Sequence, residues 1–148
     1  MTPTVVSFSA GDDRIGGLAD EARARGFRHI DRLIDGWRSG ANRFDRTGET
    51  LLAIFDGDAA VAIGGLNVDP YAGDDRVARI RHVYVMENSR RAGLGRKIVG
   101  ELVDEARQRF DLVRVRAASK GGAALFYDAL GFCRVNLPDA THLLPLNH

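Results

Sequence analysis

The chain has 148 residues, 45% apolar and 28% charged, with 21 basic against 20 acidic side chains and a net charge of +1. That length is the size of one domain, 1–148, with a single core, and that charge balance leaves no footprint for nucleic acid. The single cysteine, Cys133, excludes an internal disulfide. No apolar run reaches the roughly 18 residues of a membrane span, and the N-terminus lacks the basic and apolar regions of a secretory signal, so a cytoplasmic protein without a membrane partner is expected.

In chain order, Thr4–Phe8 reads as a short strand. Arg14–Arg25 and Arg28–Trp37 read as helices, with Ile15, Leu18, Ala19 and Ala22 on one face of the first and Ile30, Leu33, Ile34 and Trp37 on one face of the second. Thr50–Phe55 and Ala59–Val68 are strands joined at Asp56-Gly57-Asp58, a dipeptide signal for a tight hairpin. Val77–Met86 is a long strand. A helix follows from about Gly93 to Phe110, with Leu94, Ile98, Leu102, Ala106 and Phe110 on its buried stripe. Asp111–Ala117 alternates as a strand, Gly121–Leu130 is a short helix stopped by Gly131, and Phe132–Val135 and Thr141–Leu146 close the sheet. Hairpins followed by a strand–helix–strand unit imply a mixed sheet.

The stretch Arg81–Gly95, RHVYVMENSRRAGLG, carries the chemistry. A strand runs through a glycine turn into a helix N-terminus, where unpaired N–H groups and the helix dipole favour an anion such as a pyrophosphate. A dinucleotide-binding oxidoreductase would need a third glycine, and Ile98 stands there instead. No His, Cys and carboxylate spacing suggests a metal. His29, His82 and His142 read as isolated structural residues, and Cys133 as a small core residue.

This element order, with R-R-A-G-L-G at 90–95 and A-L-F-Y-D-A-L-G-F at 124–132, resembles the GNAT superfamily of acetyl-CoA-dependent N-acetyltransferases. Arg90, Gly93 and Gly95 match its Gln/Arg-x-x-Gly-x-Gly/Ala signature, and Tyr127 with Leu130-Gly131-Phe132 matches its second. The resemblance implies an α/β fold: a mixed, mostly antiparallel sheet of about six to seven strands flanked by about four helices. It implies acetyl-CoA as cosubstrate, no metal, and transfer of acetyl to a primary amine of a small molecule or peptide by direct attack. The cofactor segment would be Val83, Tyr84 and Val85, with backbone groups of Val83 and Val85 pairing the pantetheine arm. The turn of Arg90, Arg91, Ala92, Gly93, Leu94, Gly95 and Arg96 would hold the pyrophosphate. Tyr127 would protonate the leaving thiolate, and the Val85 N–H would steady the oxyanion. On this reading Gly93→Val weakens CoA binding with the fold intact. A homodimer is left open.

Two positions depart from the family pattern. Where many members carry a glutamate base this chain has Arg79 on the fourth strand, and Val115 on the fifth, so the base is unassigned. Where many have an asparagine near the cofactor this chain has Lys120, which would meet a phosphate or solvent. The missing base keeps open a non-catalytic acyl-CoA-binding or regulatory module on the same fold. Strand alternation places Arg79, Arg81, Val83 and Val85 on one face. If that face lines the acceptor cleft, Arg79 and Arg81 would bind a carboxylate or similar anion beside the amine and disfavour polyamines. Alternatively, Arg79 pairs with a protein acid such as Asp74 or Asp75, or reaches solvent.

Overall fold

The computed structural model describes residues 3–90, 92–119 and 121–146. One seven-stranded sheet runs in the order β1-β2-β3-β4-β5-β7-β6. The strands are β1 (Val5–Ser7), β2 (Thr50–Asp56), β3 (Ala59–Val68), β4 (Val77–Val85), β5 (Leu112–Val115), β6 (Cys133–Leu137) and β7 (Ala140–Pro145). The helices are α1 (Gly16–Ala24), α2 (His29–Ser39), α3 (Leu94–Arg107) and α4 (Ala123–Ala129). The expected elements all occur in the expected order, with α1 preceded by a single tight turn at Asp13–Ile15. Only β4 and β5 pair in parallel, because α3 carries the chain back across the sheet between them.

Each face of the sheet has its own core. Ile98, Val99, Leu102, Val103 and Ala106 of α3 lie on Leu52, Ile54, Leu66, Ala78 and Ile80, with Phe110 fully buried beneath. Each such side chain contributes roughly 1.5–3 kcal/mol by leaving water. On the other face Leu18, Ala22, Ile30 and Leu33 of α1 and α2 cover Leu51, Ala53, Ile63 and Tyr84.

A β-bulge in β4 governs everything above the middle of the sheet. Ile63 faces Tyr84 while Gly65 faces Arg81, so Gly64 alone opposes His82 and Val83. His82 absorbs the extra residue with φ of +62°. Both opposing glycines are needed: a Cβ on Gly64 would lie 2.5 Å from Ile98, and one on Gly65 2.5 Å from Phe44. The extra residue reverses the alternation. Ala78 and Ile80 join the α3 core before the bulge, Val83 and Val85 join it after, and Tyr84 turns to the α1–α2 core. Arg79 and Arg81 therefore do not share a face with Val83 and Val85, as simple alternation had placed them.

Arg79 itself is buried in an ionic network at the joined end of β4 and β5. Its guanidinium lies 3.5 Å from Asp69 and donates to the Asp139 carbonyl at 2.6 Å, with the Tyr71 ring 4.9 Å away. Arg114, its neighbour in register, also approaches Asp69 at 3.5 Å and pairs with the Asp139 carboxylate. Burial lowers the Arg79 pKa, and Asp69 opposes that shift. The acids that meet Arg79 are thus Asp69 and Asp139, not Asp74 or Asp75. Cys133 is exposed rather than in the core, since β6 is the edge strand of the sheet.

Candidate active site

The parallel ladder of β4 and β5 ends at Ile80 and Val115. Beyond it the chain after β5 turns towards β7, where the Ala117 N–H donates to Thr141 Oγ1 at 2.8 Å. The sheet splits, and β4 continues alone to Val85. On its other edge the Met86 N–H donates to the Val61 carbonyl, with Val85 opposite Ala62. Backbone groups alternate in direction along a strand, so those of Val83 and Val85 face the split. The Arg90 side chain reaches the Val85 carbonyl at 3.4 Å, which leaves the Val85 N–H as the open donor there.

At the end of β4 the chain turns into α3. Gly93 is the residue before the helix, with φ of +74°, and among the described residues no side chain caps the helix start. The Lys97 N–H is the first to reach back, to Gly93. The N–H groups of Leu94, Gly95 and Arg96 therefore lack helical partners. A valine at Gly93 would strain this left-handed turn itself, so that substitution would not leave the local fold intact.

A cavity of about 510 Å³ follows the split and the turn. Val83, Tyr84, Val85 and Arg90 line it from the strand side, and Gly93, Leu94, Gly95 and Arg96 from the helix start. Ala92 is exposed and does not line it. Arg91 and Lys120 lie outside the described residues. The opposite wall is α4 and its approach, with Gly121, Gly122, Phe126 and Tyr127. Tyr127 is buried among Phe126, Phe132 and His142, with ring centroids 5.1, 5.3 and 5.9 Å away. Burial pushes its phenol well above the ordinary value of 10.

A second cavity, of about 490 Å³, adjoins the first, and the two share Phe27, His29, Val83, Ala123 and Tyr127. Arg81 lines it; Arg79 lines neither cavity. Reading Arg79 as a substrate ligand therefore gives way to its place in the Asp69 network. The second cavity brings together residues that the sequence did not single out as functional: His29, His82, Arg28, Arg32 and Arg116.

The two cavity histidines are not isolated. Their rings stack at 6.4 Å, and His82 Nδ1 is 2.8 Å from the His29 carbonyl, so that nitrogen must carry the proton. Burial, with Arg81 and His29 adding to it, pulls the His82 pKa down to about 3. Burial, helped by Arg32, also lowers His29, whose buried Nδ1 has no hydrogen-bond partner among the described residues. Both rings are neutral at physiological pH. His142 is buried elsewhere, 2.9 Å from Asp128. Among the described residues no group of His, Cys, Asp and Glu is arranged to hold a metal, and no helix is long and apolar enough to cross a membrane.

A split mixed sheet, a glycine turn into an uncapped helix and a tyrosine lining two adjoining cavities are features that suit an acyltransferase-type α/β domain. The chain matches the model of the acetyltransferase (GNAT) family over residues 19–132, and it belongs to that family. It is similar to a putative acetyltransferase from Exiguobacterium sp. 255-15, with 26% identity, 98% of this chain and 94% of that chain covered, and a TM-score of 0.86. The fold is also that of yncA, a putative acetyltransferase from Salmonella typhimurium solved with its cofactor acetyl-CoA, at 16% identity, 100% and 96% coverage and a TM-score of 0.70. YhbS, a GNAT family N-acetyltransferase from Escherichia coli solved in complex with CoA, matches at 17% identity, 98% and 82% coverage and a TM-score of 0.73. No curated protein matches the chain.

Proposed function

We propose that this protein moves an acetyl group from acetyl-CoA to a primary amine of a small molecule or peptide by direct attack, with Tyr127 as general acid. The observation that carries this reading is the split beyond Ile80 and Val115, where an unpaired strand edge leads into an uncapped helix start and Tyr127 lines two adjoining cavities. The residues fit the cosubstrate. The open backbone groups of Val83 and Val85 suit an amide-bearing arm. The Leu94, Gly95 and Arg96 N–H groups, with Arg90 and Arg96, suit a pyrophosphate. Acetyl-CoA supplies an acyl carbon activated by its thioester.

The second cavity then receives the amine, and the chain's own groups manage the protons. A phenol held above its ordinary pKa keeps its proton at neutral pH, and Tyr127 donates it to the departing sulfur. The Val85 N–H donates to the carbonyl oxygen as charge grows on it. His29 lines both cavities and is held neutral, so it accepts the proton the amine sheds on forming the N–C bond. It fills the role left vacant by the absent glutamate.

The test combines calorimetric CoA binding with thiol release from acetyl-CoA over an amine panel. Tight CoA binding with amine-dependent thiol release is expected. CoA binding without turnover on any amine would return the chain to a non-catalytic acyl-CoA module, and failure to bind CoA would remove the reading. His29→Gln should lower kcat/KM on the order of 10²-fold and flatten its acid limb. An unchanged pH profile would assign the base elsewhere.

A further inference from the structure

The second cavity has an unbalanced lining. Arg28 and Arg32 reach it from the start of α2, Arg81 from β4 and Arg116 from the segment after β5, and no aspartate or glutamate lines it. None of these four arginines makes a salt bridge among the described residues. Of the nearby acids, Asp31, whose pKa Arg28 helps to lower, is held by Arg23 at 2.6 Å, and Glu87 lies 3.2 Å from Arg25. This concentration of one sign occurs in a chain whose net charge is only +1.

Resting on the acetyltransferase reading, we infer that the second cavity selects an acceptor amine that itself carries two negative charges, as a phosphate monoester or a pair of carboxylates. One carboxylate is satisfied by one guanidinium through two parallel hydrogen bonds. Four guanidiniums drawn from three separate elements exceed that need. A cleft lined by one sign of charge focuses its field and raises the local concentration of the opposite sign. The same field lowers an approaching amine's pKa, favouring its neutral, nucleophilic form, and it repels polyamines. The cosubstrate's phosphates have a separate cationic lining, since Arg90 and Arg96 border only the first cavity.

The experiment compares kcat/KM for matched acceptors at low ionic strength with the intact protein. Phosphoethanolamine is set against ethanolamine, and aspartate against its diamide, so that the two sources of double charge are each read against an uncharged partner, and spermidine serves as the polycation. At least one doubly charged acceptor should exceed its partner tenfold or more. Arg32→Gln and Arg116→Gln should each reduce that ratio several-fold, whereas Arg107→Gln on the exposed end of α3 should not. Affinities for CoA and dephospho-CoA, measured by calorimetry, should be unchanged in both cavity variants. Equal rates for charged and uncharged partners, or preference for spermidine, overturn the inference while leaving the acetyltransferase reading intact. So does a loss of CoA affinity in the variants that dephospho-CoA does not show, which would assign the arginines to the cosubstrate. If no amine turns over, calorimetric binding of phosphoethanolamine or aspartate that depends on Arg32 upholds the charged cavity and sinks the catalytic reading. No such binding sinks the inference.

Discussion

Below Ile80 strand β4 is joined to β5, and above it the two part; the arginines on either side of that point live differently. In the joined half Arg79 and Arg114 are buried with Asp69 and Asp139. In the split half Arg28, Arg32, Arg81 and Arg116 line a cavity with no carboxylate. A buried guanidinium without a counter-charge would cost several kcal/mol, so the first set must be paired for the chain to fold. In the second set Arg28, Arg32 and Arg116 are exposed and Arg81 is half-buried, so the fold tolerates them unpaired. The same residue type thus serves structure in one half and stands available to a ligand in the other, and burial decides which.

The largest expected effect breaks the paired side of this contrast. Asp69 is fully buried between two guanidiniums, and Asp69→Asn leaves the part-exposed Asp139 alone to compensate both charges. Stability should fall by about 3–5 kcal/mol in denaturant unfolding. A loss within experimental error of zero would mean the network contributes nothing to folding.

Tyr127→Phe separates chemistry from charge selection. It keeps the ring packing and removes the hydroxyl, so kcat should fall on the order of 10²-fold. The drop should be the same for doubly charged and uncharged acceptors, since selection belongs to the arginines. A change in the acceptor ratio would tie Tyr127 to binding, and wild-type kcat would end its role as the acid.

An effect absent at neutral pH comes from His82, which lies next to Arg81 and is held neutral. Its folded pKa, about 3, is below the 6.5 of the unfolded chain, so the unfolded state takes up the proton first as pH falls. The stability it protects is whole above pH 6.5 and is lost on the way down to about 3, at up to roughly 1.4 kcal/mol per pH unit. His82→Asn keeps a donor and tolerates the left-handed backbone, and it should remove this part of the acid sensitivity. Identical pH–stability curves for the two proteins would show that His82 does not titrate on unfolding.

Much of this was legible in the sequence because it is local. The glycine turn at Gly93, the helix stop at Gly131 and the buried stripe from Leu94 to Phe110 each depend on near neighbours. The position of Tyr127 against the turn followed from family likeness. The face of Arg79 was not legible, because the bulge at His82 is set across the sheet by Gly64 and Gly65, which let Ile98 and Phe44 close in on either side. Nor was the charged cavity, whose arginines lie at 28, 32, 81 and 116 and converge only when the split sheet brings α2 against it. His29 was missed for the same reason. Its signal was faint: a histidine at a helix start, three residues after the turn at Gly26. Cys133 read as a small core residue because it follows the Gly131-Phe132 corner, though β6 forms the edge of the sheet.

Arg79 and Arg81 offer the sharpest single measurement, because they lie two residues apart on one strand and fall on opposite sides of the contrast. The melting temperature and the ratio of kcat/KM for a doubly charged acceptor over its uncharged partner are measured together for Arg79→Gln and Arg81→Gln. The account predicts that Arg79→Gln lowers the melting temperature and preserves the ratio, while Arg81→Gln preserves the melting temperature and reduces the ratio several-fold. If Arg79→Gln changes the ratio at an unaltered melting temperature, or if both variants shift both quantities alike, the division between fold-holding and ligand-facing arginines is wrong.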